Sequence, residues 1–174
     1  MKRLVGLLVV LTAGFAAPLT AHCQVSFYGD FSASKLTYLS NTNVLYGPTI
    51  GSFIDFVSAK YINLSADFRG TFVGAGGVRL DGFVVGPRVA TAIKFQKLKP
   101  YAEFMVGFAR YNNGQNVAAS SSTDSEIQVN TGVDRPVARL IDWRVFEYSY
   151  AQYYGLSGQY HPKTFSTGIV FHLH

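Results

Sequence analysis

Residues 62 to 72, INLSADFRGTF, alternate without a break: Ile62, Leu64, Ala66, Phe68, Gly70 and Phe72 share one parity, and Asn63, Ser65, Asp67, Arg69 and Thr71 the other. An extended strand sends successive side chains to opposite faces, so this segment has one apolar surface and one that is polar and charged. In a soluble sandwich or barrel the apolar side meets a protein core, and Asp67 and Arg69 meet water. In a barrel set in lipid the apolar side meets hydrocarbon, and the two charges lie inside. The remainder of the chain chooses between these readings.

Composition favours the second. Of 174 residues, 48% are hydrophobic and 15% aromatic, but only 14% are charged, against roughly 25% for a soluble domain. A water-facing exterior needs more charge than that. The formal charge of +5 includes Lys2 and Arg3 and is scattered along the chain, which gives no basis for binding nucleic acid.

Residues 1–23 have the pattern of a secretory signal peptide: Lys2 and Arg3, an apolar run from Leu4 to Ala17, then Pro18 and a short polar end. The run is shorter than the roughly 20 residues of a spanning helix. Cleavage after Cys23 puts Ala21 and Cys23 at the two small-residue positions and starts a domain of residues 24–174 at Gln24. In the competing reading Cys23 is kept as a lipidated first residue. With Cys23 removed, the exported chain has no cysteine and needs no disulfide or thiol chemistry.

Period-two segments follow near Val25–Tyr38, Tyr46–Val57, Ile62–Phe72, Asp81–Phe95, Tyr101–Tyr111, Ser125–Arg135, Ile141–Tyr153 and Lys163–Leu173. They are longer than the common globular strand of roughly 5 to 6 residues and suit a tilted membrane strand of about 9 to 11. Tight connections are expected at Ser58–Lys60, Gln96–Lys99 and Pro136–Leu140. Longer loops are expected at 39–43, 73–80, 112–124 and 154–162. This alternation matches barrels with short periplasmic turns and longer surface loops. The fold expected is all-β, an eight-stranded antiparallel up-and-down transmembrane β-barrel.

Parity within the other segments agrees. Phe27 and Phe31 oppose Tyr28, Asp30 and Ser32; Phe83, Val85 and Val89 oppose Arg88; Phe104, Val106 and Phe108 oppose Glu103; Ile127 and Val129 oppose Glu126 and Gln128. Mid-strand charge therefore collects on one side, where it escapes the cost of facing lipid. Asp142 and Arg144 break step with Glu147. A bulge at Val145 or Phe146 would return Arg144 and Glu147 to one face; otherwise Glu147 sits near a wet rim.

The last residues, STGIVFHLH, place Ser166, Gly168, Phe171 and Leu173 in a pattern that resembles the C-terminal assembly signal of outer-membrane barrels, although His174 follows where a final aromatic is usual. With YAEFMVGFARY and NTGVDRP, residues 24–174 resemble the small outer-membrane barrels of the OmpA/OmpX type, without the peptidoglycan-binding domain of longer members. The resemblance implies an outer-membrane location. It also implies contact with outer-membrane lipid and lipopolysaccharide, insertion by the outer-membrane assembly machinery, and surface ligands taken up through the longer loops. Aromatic girdles at the lipid boundary are expected from Tyr46, Tyr61, Tyr101, Tyr111, Trp143, Tyr153 and Phe171.

Asp30, Asp67, Arg69, Arg88, Glu103, Arg144 and Glu147 are the residues expected to point inward. Paired carboxylates can do acid–base work and mixed charges can line an ion path. A narrow eight-stranded lumen filled by paired charges is the structural alternative, and the favoured one. Arg69 and Arg88 are expected to pair with Asp67, Asp30 or Glu147. No cofactor is expected. His161, His172 and His174 raise the possibility of a lipid-modifying hydrolase, but Ser157 and His161 share only a loop, and no closely spaced serine–histidine motif lies on a strand. His172 and His174 alternate at a strand end with no evident third metal ligand. GAGG at 74–77 lacks the following helix of a phosphate loop. A structural or surface-binding barrel, a narrow channel and a lipid-modifying enzyme remain the functional alternatives, in that order.

Overall fold

The computed structural model describes residues 24–38, 41–58, 61–91, 97–113, 120–154 and 161–173. Residues 1–23, where a signal peptide is expected, with Cys23, and His174 lie outside them. The strands are β1 (Gln24–Tyr38), β2 (Asn41–Ser58), β3 (Ile62–Ala75), β4 (Val78–Thr91), β5 (Lys99–Asn113), β6 (Ser120–Pro136), β7 (Ile141–Tyr154) and β8 (Lys163–Leu173). Each pairs antiparallel with its neighbour in sequence, and β8 returns to β1 with Val25 opposite Leu173. Closure leaves no unpaired strand edge, as a sheet in hydrocarbon requires. Both ends of the strand series, Gln24 and Leu173, share one rim, here the terminal rim; the opposite one is the distal rim.

The opening stretch takes the membrane-barrel orientation. Ser65, Asp67 and Arg69 are buried in the lumen, whereas Phe68 on the other face is 50% exposed. Around the wall Phe27, Phe31, Ile50, Phe83, Phe104, Phe108, Phe165 and Ile169 likewise face outward. The expected bulge in β7 is found. Pairing with β8 steps from Arg144 to Glu147, and pairing with β6 steps at Val133/Asp134 so that Val145 is the residue left over. Arg144 and Glu147 are consequently both buried inside.

Several expectations need correction. Residues 73–80 are not a long loop: β3 runs to Ala75 and β4 starts at Val78, joined by Gly76 and Gly77 at φ 58° and 85°. Two glycines with positive φ make the tight hairpin turn whose twist matches its strands, and Val73, Val78 and Leu80 pack inward as strand residues. Residues 41–43 likewise belong to β2, and 112–113 and 120–124 extend β5 and β6. Of the longer connections expected on the distal rim, residues 39–40, 114–119 and 155–160 lie outside the described ones. On the terminal rim β4 is described to Thr91 and β5 from Lys99; residues 92–96, with the expected segment end at Phe95 and the start of the expected tight connection at Gln96, lie outside the described residues.

The aromatic girdle is also smaller. Tyr46, Tyr61, Trp143 and Phe171 face outward, but Tyr101 and Tyr153 are 4% and 6% exposed and point into the lumen. Tyr111 packs against the inner apolar cluster. For Tyr101 the parity shared with Glu103 decides the face, and nearness to a strand end does not.

Candidate functional site: the filled lumen

Side chains fill the lumen in layers from the terminal rim upward. At the terminal mouth Asp142 Oδ2 accepts from Lys99 Nζ at 2.6 Å and lies 2.9 Å from His172 Nε2. His172 Nδ1 lies 2.8 Å from Ser26 Oγ. Serine, histidine and carboxylate thus form a chain that no local motif announces, because barrel closure joins Ser26 of β1 to His172 of β8. It lacks the access a nucleophile needs: Ser26 is 0% exposed. Beside it Ser65 donates to Asp55.

The middle layer is a belt of charge. Arg69 donates to both oxygens of Glu147 at 2.9 and 2.8 Å and to Glu103 at 2.9 Å. Arg88 joins Glu103 at 3.1 Å to Asp134 at 2.7 Å. Arg144 reaches Asp30 at 2.9 Å, Asp134 at 3.2 Å and Glu147 at 3.3 Å. Neutral donors complete the acceptors: Tyr101 donates to Glu147 at 2.6 Å, Asn130 to Glu103 at 2.8 Å and Tyr28 to Asp67 at 2.8 Å. The guanidinium planes also lie over aromatic faces, Arg88 at 3.8 Å from the Tyr101 ring centre and Arg144 at 4.2 Å from that of Tyr28, a weakly hydrating environment in which arginine is at home.

All seven residues singled out from sequence therefore lie in the lumen, but not in the pairing expected. Arg69 does pair with Glu147; neither Arg69 nor Arg88 forms an ion pair with Asp67 or Asp30. Asp30 belongs to Arg144, and Asp67 accepts from Tyr28. Sequence reasoning missed Asp134, Tyr28, Tyr101 and Asn130 as members. Their parity was the available signal, since each shares a face with a residue already assigned inward.

Glycines make room for the belt. A methyl group at Gly51 would collide with the Tyr28 ring, one at Gly132 with the Tyr101 ring, and one at Gly168 with the Asp30 carboxylate. Of the four C-terminal pattern residues, Ser166 and Gly168 line the inside, whereas Phe171 and Leu173 face outward at 48% and 55% exposure.

Above the belt the bonds become neutral. Ser32 Oγ lies 2.7 Å from Thr49 and 2.8 Å from Ser166, and Thr164 donates to Ser34 at 2.9 Å. A cavity of about 20 Å³ bordered by Arg69, Thr71, Glu126 and Gln128 has room for about one water molecule. At the distal end Leu36, Leu45, Val73, Val78, Leu80, Ala109, Ala151 and Tyr153 form an apolar cap.

In sequence, no protein-family model and no curated protein matches the chain. In structure, Neisserial surface protein A superposes with a TM-score of 0.63 at 16% identity, covering 84% of this chain and 96% of that one. Ail, the attachment invasion locus protein of Yersinia pestis, gives 0.62 at 11% identity over 87% and 99%. The outer membrane enzyme PagL gives 0.51 at 17% identity over 82% and 98%. The chain has the fold of the small eight-stranded outer-membrane β-barrels, and its outward apolar wall fits that location. The fold is shared by proteins of different roles, one of them an enzyme.

Proposed function

We propose that this chain serves the outer membrane as a closed, non-enzymatic barrel, contributing to envelope structure or presenting its distal connections to a surface ligand. The observation that carries the reading is the continuous belt from Arg69 through Glu103 and Arg88 to Asp134, Arg144 and Glu147 across the lumen. A permeant ion would have to separate buried, hydrogen-bonded pairs, which is costly, and would then meet the apolar cap. The buried position of Ser26 supports the non-enzymatic part. In the same reading Ser166, Gly168, Phe171 and Leu173 serve as the assembly signal, and residues 24–174 are the inserted domain left after removal of 1–23. The rim with the chain ends then faces the periplasm, and the 114–119 and 155–162 connections face outward. Ail has been crystallised with the heparin analogue sucrose octasulfate, which makes a polyanion a reasonable first surface ligand to try.

The test is conductance of the purified protein in planar bilayers. Rare small steps or none are expected. Large steady steps in most insertions would give preference to the channel reading.

A further inference from the structure

Lys35 and Lys163 stand directly opposite each other in the β1–β8 ladder, and both are exposed on the outer wall. Opposed residues on one face of a sheet have Cβ atoms about 4.5 to 5.5 Å apart, and like charges so placed destabilise the pairing. Neither ammonium has an ion-pair partner among the described residues. A second basic position at the same level is handled differently: Arg110 of β5 lies opposite Asp81 of β4. The wall carries its own countercharge there and none beside the lysines.

The height of the pair indicates what could supply one. On β1 the outward positions below Lys35 are Val25, Phe27, Gly29, Phe31 and Ala33; on β8, below Lys163, they are Leu173, Phe171, Ile169, Thr167 and Phe165. At about 3.3 Å per residue and the tilt of a membrane strand, either run spans roughly 20 Å, close to the roughly 25 Å apolar band of such barrels. The lysines therefore emerge at the distal boundary of the hydrocarbon. Tyr150 lies opposite Lys163 on the next strand, and the His161 ring stacks on it at 6.0 Å. A phenol, an imidazole and two ammonium groups leave donors, and no acceptor charge, on this patch.

We infer that Lys35 and Lys163 form a clamp for the phosphomonoester of a membrane lipid headgroup in the outer leaflet, whose charge of about −1.5 to −2 at neutral pH matches two ammonium groups better than the single charge of a zwitterionic phosphodiester. This rests on the membrane-spanning reading above, and it adds a place and a ligand chemistry to it. A phosphate oxygen between the two ammonium groups relieves their repulsion, while the lipid's chains lie along the Phe31 and Phe165 side of the wall.

The test uses the protein reconstituted in phosphatidylcholine vesicles containing a minor fraction of monophosphorylated lipid A, with lipid retained on the protein counted by native mass spectrometry. Insertion is verified first by heat-modifiable gel mobility and by blue-shifted Trp143 fluorescence, so that failure to insert counts against the membrane reading and not against the clamp. The inserted protein is expected to retain monophosphorylated lipid A, a phosphomonoester, over phosphatidylcholine, a zwitterionic phosphodiester, with the preference falling about fivefold for each lysine removed in Lys35→Gln, Lys163→Gln and the double variant. Arg110→Gln, beside its own aspartate, is expected to change it little. Millimolar inorganic phosphate should not displace the lipid. An inserted protein with no preference, an equal loss in Arg110→Gln, or displacement by free phosphate would each overturn the assignment.

Discussion

The lumen is filled in two layers, by different physics. The middle belt spans it with directional, charge-assisted bonds, each arginine committed to two or three carboxylates. The distal cap fills it with Leu36, Leu45, Val73 and Leu80, which need only fill volume, while Tyr153 of the same cluster also bonds the Glu126 carboxyl. Removal of one member of a charge network leaves its partners buried and unmatched, whereas an apolar layer loses only contacts and area. The belt is accordingly intolerant of single changes and specific about register, and the cap is forgiving.

The largest effect is expected at Arg144, which is fully buried and holds Asp30, Asp134 and Glu147 together. Arg144→Met keeps most of the volume and removes the charge. Breaking such a buried set costs about 3 to 5 kcal/mol, a large part of a stability of roughly 5 to 15 kcal/mol. The denaturant midpoint of the barrel in lipid vesicles should fall accordingly. An unchanged midpoint would mean that the belt is dispensable and would erase the contrast with the cap.

The cap should respond to shape and not to polarity of partners. Leu45 is 0% exposed, so Leu45→Ala should cost about 2 to 3 kcal/mol, the lower end for a buried leucine. Leu45→Met, which conserves volume, should cost less than about 1.5 kcal/mol. Similar losses in the two variants would show that this layer is as exacting as the belt.

The same contrast explains what the sequence made legible. Which residues face inward follows from a two-residue period and a strong penalty for charge in lipid, so Asp67, Arg69, Arg88 and Glu103 could be assigned without coordinates. The β7 bulge was one of two readings open to the sequence, because Glu147, off the inward parity, had either to be returned by an extra residue or to sit at a wet rim; the pairing shows the first. Partnership was not readable. It depends on how the register shear carries each strand around the barrel, and that brings Arg144 to Asp30, 114 positions away, and Ser26 to His172, 146 positions away. The apolar cap was hidden for a related reason. Val73, Val78 and Leu80 look like flanks of a glycine loop until Gly76 and Gly77 are seen to fold as a two-residue turn, after which the same residues continue the inward parity.

The smallest expected effect lies between the two layers and sharpens the comparison. Ser32 is fully buried and bridges Thr49 and Ser166 through neutral hydroxyls. In Ser32→Ala, Thr49 keeps its bond to Thr71 at 3.3 Å, while Ser166 loses a partner that the neighbouring cavity can replace with water. The net cost should be that of an ordinary neutral hydrogen bond, about 1 kcal/mol, and planar-bilayer conductance should stay at the wild-type level because the belt below and the cap above are intact. If Ser32→Ala lost as much stability as Arg144→Met, the neutral layer would have to be counted with the belt as one cooperative network. If it raised conductance, closure would depend on the hydroxyl layer, and the belt would be a framework around the gate and not the gate itself.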